Sequence, residues 1–215
     1  MQHLILAASS DHSQAIADSI YRRIAIKNPK TAFITTPIEA EAQIGMKTWE
    51  GEDRTALTNA GFITFDYTIT GKNREQIFAD LADCDVIHVT GGNELYFRAK
   101  CDESGFEEFI NEHVSKGKPY IGSSCGAIMA TQDISPTSML NDKSLLKKPI
   151  NTKGFGFVNF SILPHWGLKD FAKEYLVDSF EILYQESRPL IALNNYQYIE
   201  VVGDTWQIVD VRSEL

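Results

Sequence analysis

Cysteine is scarce: Cys84, Cys101 and Cys125 are the only three, and they fall at no disulfide-framework or metal-ligand spacing. An odd count without a framework suits a reducing compartment, so the cytoplasm is the expected location. Positive charge is in deficit, with 20 Lys and Arg against 29 Asp and Glu and a formal net charge of -9. No basic surplus is available to neutralise phosphates, so nucleic acid is not an expected partner. The one local cluster, Lys143, Lys147 and Lys148, reads as a solvated loop. No stretch approaches the roughly 18 consecutive apolar residues of a membrane-spanning helix. The N-terminal Met1–Ala8 segment has no basic region before its short apolar run, so it reads as a core strand rather than a signal peptide. Internal repeats, low-complexity tracts and linkers are lacking too. What remains is 215 residues, 43% of them hydrophobic, which is enough for one domain spanning 1–215 with a sizeable core.

Short apolar runs alternate with helical patterns through the first half. Leu4–Ala8, Ala32–Thr35, Phe62–Tyr67 and Val86–Thr90 read as strands, and Tyr120–Gly122 begins a fifth. Ser10–Ser13 precedes a helix with Ile16, Ile20 and Ile24 at near-helical spacing. Residues 38–60 read as mostly helical with interruptions near Gly45 and Gly51, and Arg74–Leu81 and Phe106–Val114 read as helices. Strand–helix alternation with nearly all-apolar strands implies a parallel sheet covered on both faces. Such sheets bind ligands beyond the carboxyl ends of their strands. Residues 131–157 read as a long loop with a hairpin in it. Val158–Leu163 is expected to be a strand and Asp170–Tyr184 an amphipathic helix. Leu190–Leu193, Tyr198–Val202 and Trp206–Val211 read as closing strands, with a two-residue turn at Gly203-Asp204.

The segment richest in chemical meaning is Ile121-Gly-Ser-Ser-Cys-Gly-Ala127. Gly122-x-Ser124-x-Gly126 is the spacing of a nucleophile elbow, in which a strand turns sharply into a helix and presents its central residue. The helix N-terminus that follows favours developing negative charge. The plain alternative is a glycine-rich turn. Cys125 is a rival nucleophile, but the glycines centre on Ser124, and a residue after the nucleophile offers a backbone N–H while its side chain turns away. His165, in Leu163-Pro-His-Trp166, ends an apolar strand and is the natural base, since a neutral imidazole takes a proton near neutral pH. His3, His12, His88 and His113 have simpler explanations, His88 as a packed core residue. Gly91-Gly92-Asn93 follows the fourth strand and provides either oxyanion donors or a strand-to-helix turn with Asn93 as cap. A third residue should orient the base, and Asp133 and Asp142 both lie between Ser124 and His165.

These motifs, Val89-Thr-Gly-Gly-Asn93, Tyr120–Ala127 and Leu163–Trp166, together with the Leu4–Ser10 start and the Asn195–Val209 close, resemble the aspartyl dipeptidase family of peptidase E-like serine peptidases. The resemblance covers nearly the whole chain. It implies a three-layer, doubly wound, mostly parallel α/β sheet of the class I glutamine amidotransferase-like (flavodoxin-like) kind. It further implies Ser124 as nucleophile, His165 as base, and Gly92 and Cys125 N–H groups as the oxyanion hole. The acidic member aligns around Asn141-Asp142, so Asp142 is expected there. Gly91, Asn93 and Trp166 would lie against the substrate. The implied substrates are small peptides, dipeptides foremost and N-terminal aspartyl ones among them; no metal or organic cofactor is implied. A monomer or homodimer is expected. Three departures stand out: Cys125 where the family usually has Ala, Glu94 after the Gly-Gly-Asn turn, and only Lys169 in the segment where the family's aspartyl preference is associated with a basic residue. A thiol-dependent transferase at Cys125 and a non-catalytic ligand binder are the rival functions.

Overall fold

A computed structural model describes residues 1–10, 12–43, 50–138, 150–178 and 180–214. The strands are β1 (His3–Ala7), β2 (Lys30–Ile34), β3 (Ile63–Tyr67), β4 (Val86–Val89), β5 (Tyr120–Ser123), β6 (Ser161–Leu163), β7 (Leu190–Ala192), β8 (Gln197–Val202) and β9 (Thr205–Asp210). The helices are α1 (Gln14–Ile24), α2 (Glu39–Gln43), α3 (Glu50–Ala60), α4 (Arg74–Leu81), α5 (Glu94–Ser104), α6 (Phe106–Ser115), α7 (Cys125–Met129), α8 (Ser135–Ser138), α9 (Lys169–Lys173) and α10 (Phe180–Gln185). A wider π-helical turn, Glu174–Asp178, lies between α9 and α10.

Seven strands form one sheet in the order β3-β2-β4-β5-β1-β8-β9. β3, β2, β4, β5 and β1 run parallel, and β8 and β9 close the sheet antiparallel. The expected doubly wound α/β fold is therefore present. β1, β4 and β5 are buried along nearly their full length because helices cover both faces, and that is why they read as continuous apolar runs. One face packs Leu4, Leu6, Ile87, Val89 and Tyr120 against α5, α6 and α7; the other packs Ile5, Phe33 and Ile121 against α1 and α3.

His88 is a buried core residue on that second face, stacked on Phe33 with ring centroids 4.7 Å apart. Burial holds its pKa down to about 3. His113 is also buried, its Nε2 lying 3.0 Å from the Pro119 carbonyl, and burial lowers its pKa to about 4. All three cysteines are buried free thiols. Among the described residues, no helix is long and apolar enough to cross a membrane.

The strand expected at Leu190–Leu193 does not join the large sheet. As β7 it pairs in parallel with β6, with Leu163 opposite Ala192, in a separate two-stranded sheet. The segment that leads into β6 is tied to the end of α7 by backbone bonds. Phe155 N–H donates to Met129 O (2.7 Å), Phe157 N–H to Ala130 O (2.9 Å) and Gly156 N–H to Thr131 O (2.9 Å). Gly154 is required in this ladder, since a Cβ there would sit 2.0 Å from Thr131 O. Of the loop expected over 131–157, the described part holds α8 and an antiparallel bridge between Asp133 and Lys153.

Candidate active site

The elbow lies at the carboxyl end of β5, near the middle of the large sheet. Ser124 has φ 50° and ψ -105°, outside the regions an L-residue ordinarily occupies. Such a conformation costs about 1–3 kcal/mol and persists only where its surroundings fix it. Ser124 N–H donates to Ala7 O on β1 (3.0 Å), its carbonyl accepts from Ala127 and Ile128 N–H (3.0 Å each), and Gly126 N–H donates to Thr90 O after β4 (3.2 Å). The glycines at either side are dictated by contact. A Cβ on Gly122 would lie 2.4 Å from Gly126 C, and one on Gly126 would lie 2.3 Å from Val89 O. Tyr120 Oη, fully buried, donates to Gly126 O (2.7 Å) and braces the turn from below.

His165 follows β6 and also takes a positive φ, 62°. Its Nε2 lies 2.9 Å from Ser124 Oγ. Its Nδ1 lies 2.8 Å from Asn195 Oδ1, which can only accept, so Nδ1 carries the ring hydrogen. In the neutral imidazole Nε2 is then the unprotonated nitrogen and accepts from the Ser124 hydroxyl, which is the tautomer a general base needs. Phe171 stacks on the imidazole at 4.6 Å and 18°, fixing the ring plane. The loop itself is pinned: Trp166 N–H donates to Leu193 O (2.9 Å) and Leu168 N–H to His165 O (3.1 Å).

Asn195 was not among the residues the sequence singled out. The only signal was the polar pair Asn194-Asn195 directly after an apolar strand. The parallel pairing of β6 with β7 brings the turns that follow them together, and those turns carry His165 and Asn195. Asp142 and Asn141, expected as orienting residues, lie outside the described residues. Asp133 is engaged elsewhere: it accepts from Ser135 N–H and Oγ and pairs with Arg188 at 3.3 Å.

The Gly91-Gly92-Asn93 turn leaves β4, whose Val89 pairs with Gly122 of β5, so this turn and the elbow leave neighbouring strands at the same end. Gly92 has φ 125°, and a Cβ on it would lie 2.4 Å from Pro37 O. Asn93 caps α5, its Oδ1 accepting from Tyr96 N–H at 2.9 Å. Glu94 is buried in the first turn of that helix, where a carboxylate meets the positive end of the helix dipole. Cys125 is only 1% exposed, so it is the Ser124 hydroxyl, not the neighbouring thiol, that meets the imidazole. Trp166 is half-exposed beside His165.

Residues 4–209 match the model of peptidase family S51. An uncharacterized peptidase of Pasteurella multocida is 25% identical over 182 residues, covering 84% of this chain and 84% of its own length. A peptidase E of Streptomyces coelicolor is 28% identical over 131 residues, covering 59% of this chain and 52% of its own. Among solved structures, a peptidase from an acI-B1 Actinobacterium superposes with a TM-score of 0.73 at 19% identity, over 98% of this chain and 88% of the other. That likeness concerns the fold.

Proposed function

This chain belongs to peptidase family S51 and is a serine peptidase; we propose that it hydrolyses short peptides, dipeptides foremost, with Ser124 as nucleophile, His165 as base and Asn195 as the residue that orients the base. The observation that carries this reading is the 2.9 Å approach of His165 Nε2 to the hydroxyl of a residue held in an elbow.

In the proposed mechanism Ser124 Oγ attacks the scissile carbonyl carbon while its proton passes to His165 Nε2. The oxyanion that forms is received by the N–H groups of Gly92 and Cys125, the latter at the N-terminus of α7. His165, now an imidazolium, passes the proton to the leaving amine, and the C–N bond breaks. Water then attacks the Ser124 ester with His165 again as base, releasing the acid and restoring the serine. Asn195 holds the imidazole in the required tautomer through all steps but brings no negative charge. The relay is therefore Ser124-His165-Asn195 in this reading, built on the contact of Nδ1 with Asn195 Oδ1. The three free, buried thiols fit a cytoplasmic setting.

The deciding experiment is a dipeptide-library screen of purified protein against its Ser124→Ala variant, alongside labelling with a fluorophosphonate. Turnover and labelling are expected for the parent and absent from a folded variant. Activity surviving in Ser124→Ala would refute the mechanism.

A further inference from the structure

Beside His165 runs a groove of about 300 Å³ walled by Trp166, Leu168, Phe171, Tyr175 and Leu176. Phe171 belongs both to this wall and to the stack on the imidazole, so the groove begins one ring away from the reacting pair. Its walls are set in advance. Tyr175 is buried, lies parallel to Trp166 and Phe171, and donates through Oη to Pro164 O at 2.7 Å. The π-helical turn at Glu174–Asp178 directs Tyr175 inward and Leu176 outward, and such wide turns recur at functional sites. Three of the eleven large apolar side chains that are exposed among the described residues, Trp166, Leu168 and Leu176, meet here. Apolar surface gathered next to a catalytic base marks a ligand contact rather than chance exposure.

Resting on the hydrolase reading above, we propose that this groove is a specificity pocket that takes an apolar side chain, leucyl or phenylalanyl in size, of a residue flanking the scissile bond. The chemistry of the walls excludes the acidic side chain that the aspartyl dipeptidase resemblance would suggest. Among the described residues, the one charged side chain lining the groove is Lys169, and it is solvent-exposed. An aspartyl carboxylate would shed its water among aromatic rings for one flexible, solvated ammonium, which returns little. A basic substrate side chain meets the same ammonium and is repelled. A leucyl or phenylalanyl side chain loses only apolar hydration, and burying it favours binding by about tenfold or more.

The test measures binding separately from turnover. The folded Ser124→Ala protein is titrated by calorimetry with Leu-Ala, Phe-Ala, Ala-Leu, Ala-Phe, Asp-Ala, Ala-Asp and Ala-Ala. In one of the two positions Leu and Phe are expected to bind at least about tenfold more tightly than Asp or Ala. That advantage should fall below about threefold in Leu168→Arg and in Leu176→Arg, both exposed sites, each variant first shown to be folded by its unfolding midpoint. The position that carries it assigns the groove to the acyl or the leaving residue. Asp binding as tightly as Leu and Phe in both positions, an apolar advantage that survives both substitutions, or no binding at all would each overturn the proposal. Selective binding without turnover in the parent would instead refute the hydrolase reading and leave the pocket standing.

Discussion

Asn195 Oδ1 accepts from His165 Nδ1 at 2.8 Å, at the opposite end of the imidazole from Ser124. The bond fixes the tautomer with a neutral partner. Asn195→Ala is expected to lower kcat by about 10- to 1,000-fold, because the ring can then rotate and the wrong nitrogen can carry the hydrogen. Asn195→Asp separates orientation from charge. A carboxylate there stabilises the imidazolium, so the acidic limb of the kcat/KM–pH profile should move to higher pH. A profile unchanged in Asn195→Asp would show that residue 195 does not act through the base.

The elbow glycines should tolerate no side chain. Gly126→Ala drives a Cβ to 2.3 Å from the Val89 carbonyl, and Gly92→Ala puts one 2.4 Å from Pro37 O at φ 125°. Each is expected to destabilise the fold by at least about 1–3 kcal/mol and to slow fluorophosphonate labelling of Ser124. Gly71→Ala is the control for positive φ alone, since φ is +74° there with nothing within 4 Å. It should cost about 1 kcal/mol and leave the labelling rate intact.

Tyr120→Phe removes one oxygen from a fully buried site and leaves the Gly126 carbonyl without that donor. We expect a loss of about 1–3 kcal/mol in denaturant unfolding. If the brace matters to the elbow, labelling slows as well. An unchanged midpoint would show that the bond contributes nothing net.

Acid should weaken the protein before its carboxylates titrate. His88 and His113 are held by burial near about 3 and about 4, against about 6.5 in the unfolded chain. Below about pH 6.5 the unfolded state binds protons that the folded state refuses, so stability falls as pH drops through this window and is fully present above it. Each histidine accounts for a loss on the order of 2 kcal/mol between pH 7 and pH 5. Glu186, hydrogen-bonded to Arg188, and Asp210, hydrogen-bonded to Arg212, are both lowered to about 2. Their contribution is lost only below about pH 4.5. Urea unfolding between pH 7 and pH 5 therefore reads the histidines held down by burial, His3 among them, and His113→Gln should flatten the slope. A midpoint independent of pH over that range would contradict the burial of both rings.

The parts of this molecule legible in its sequence are those whose cause is local. Arg74–Leu81 forms the helix its pattern indicates, started by a capping box between Asn73 and Gln76. Gly122 and Gly126 announce the elbow because a backbone contact forbids anything larger at either position. His165 is visible as a polar residue ending an apolar strand. The helix at Glu94–Ser104 has no clear signature in the sequence, since Leu95, Tyr96, Phe97, Arg98 and Cys101 are buried together and leave no polar stripe to give the period. Asn195 was invisible because its role depends on β7 pairing with β6, a contact between short segments far apart in sequence. Neither triplet of residues, Ser161–Leu163 or Leu190–Ala192, says which sheet it will join.

The backbone ladder from Met129–Thr131 to Phe155–Phe157 has a mechanical meaning. The segment leading to β6 and His165, the proposed base, hangs from the end of the helix that Ser124 begins, so this backbone path from Ser124 to His165 bypasses most of the large sheet. Outer strands such as β3 and β9 can drift in composition, or accept insertions at their turns, without changing the distance between the reacting atoms. The separation of Ser124 and His165 thus rests on a compact cradle of backbone rather than on the rim of the sheet.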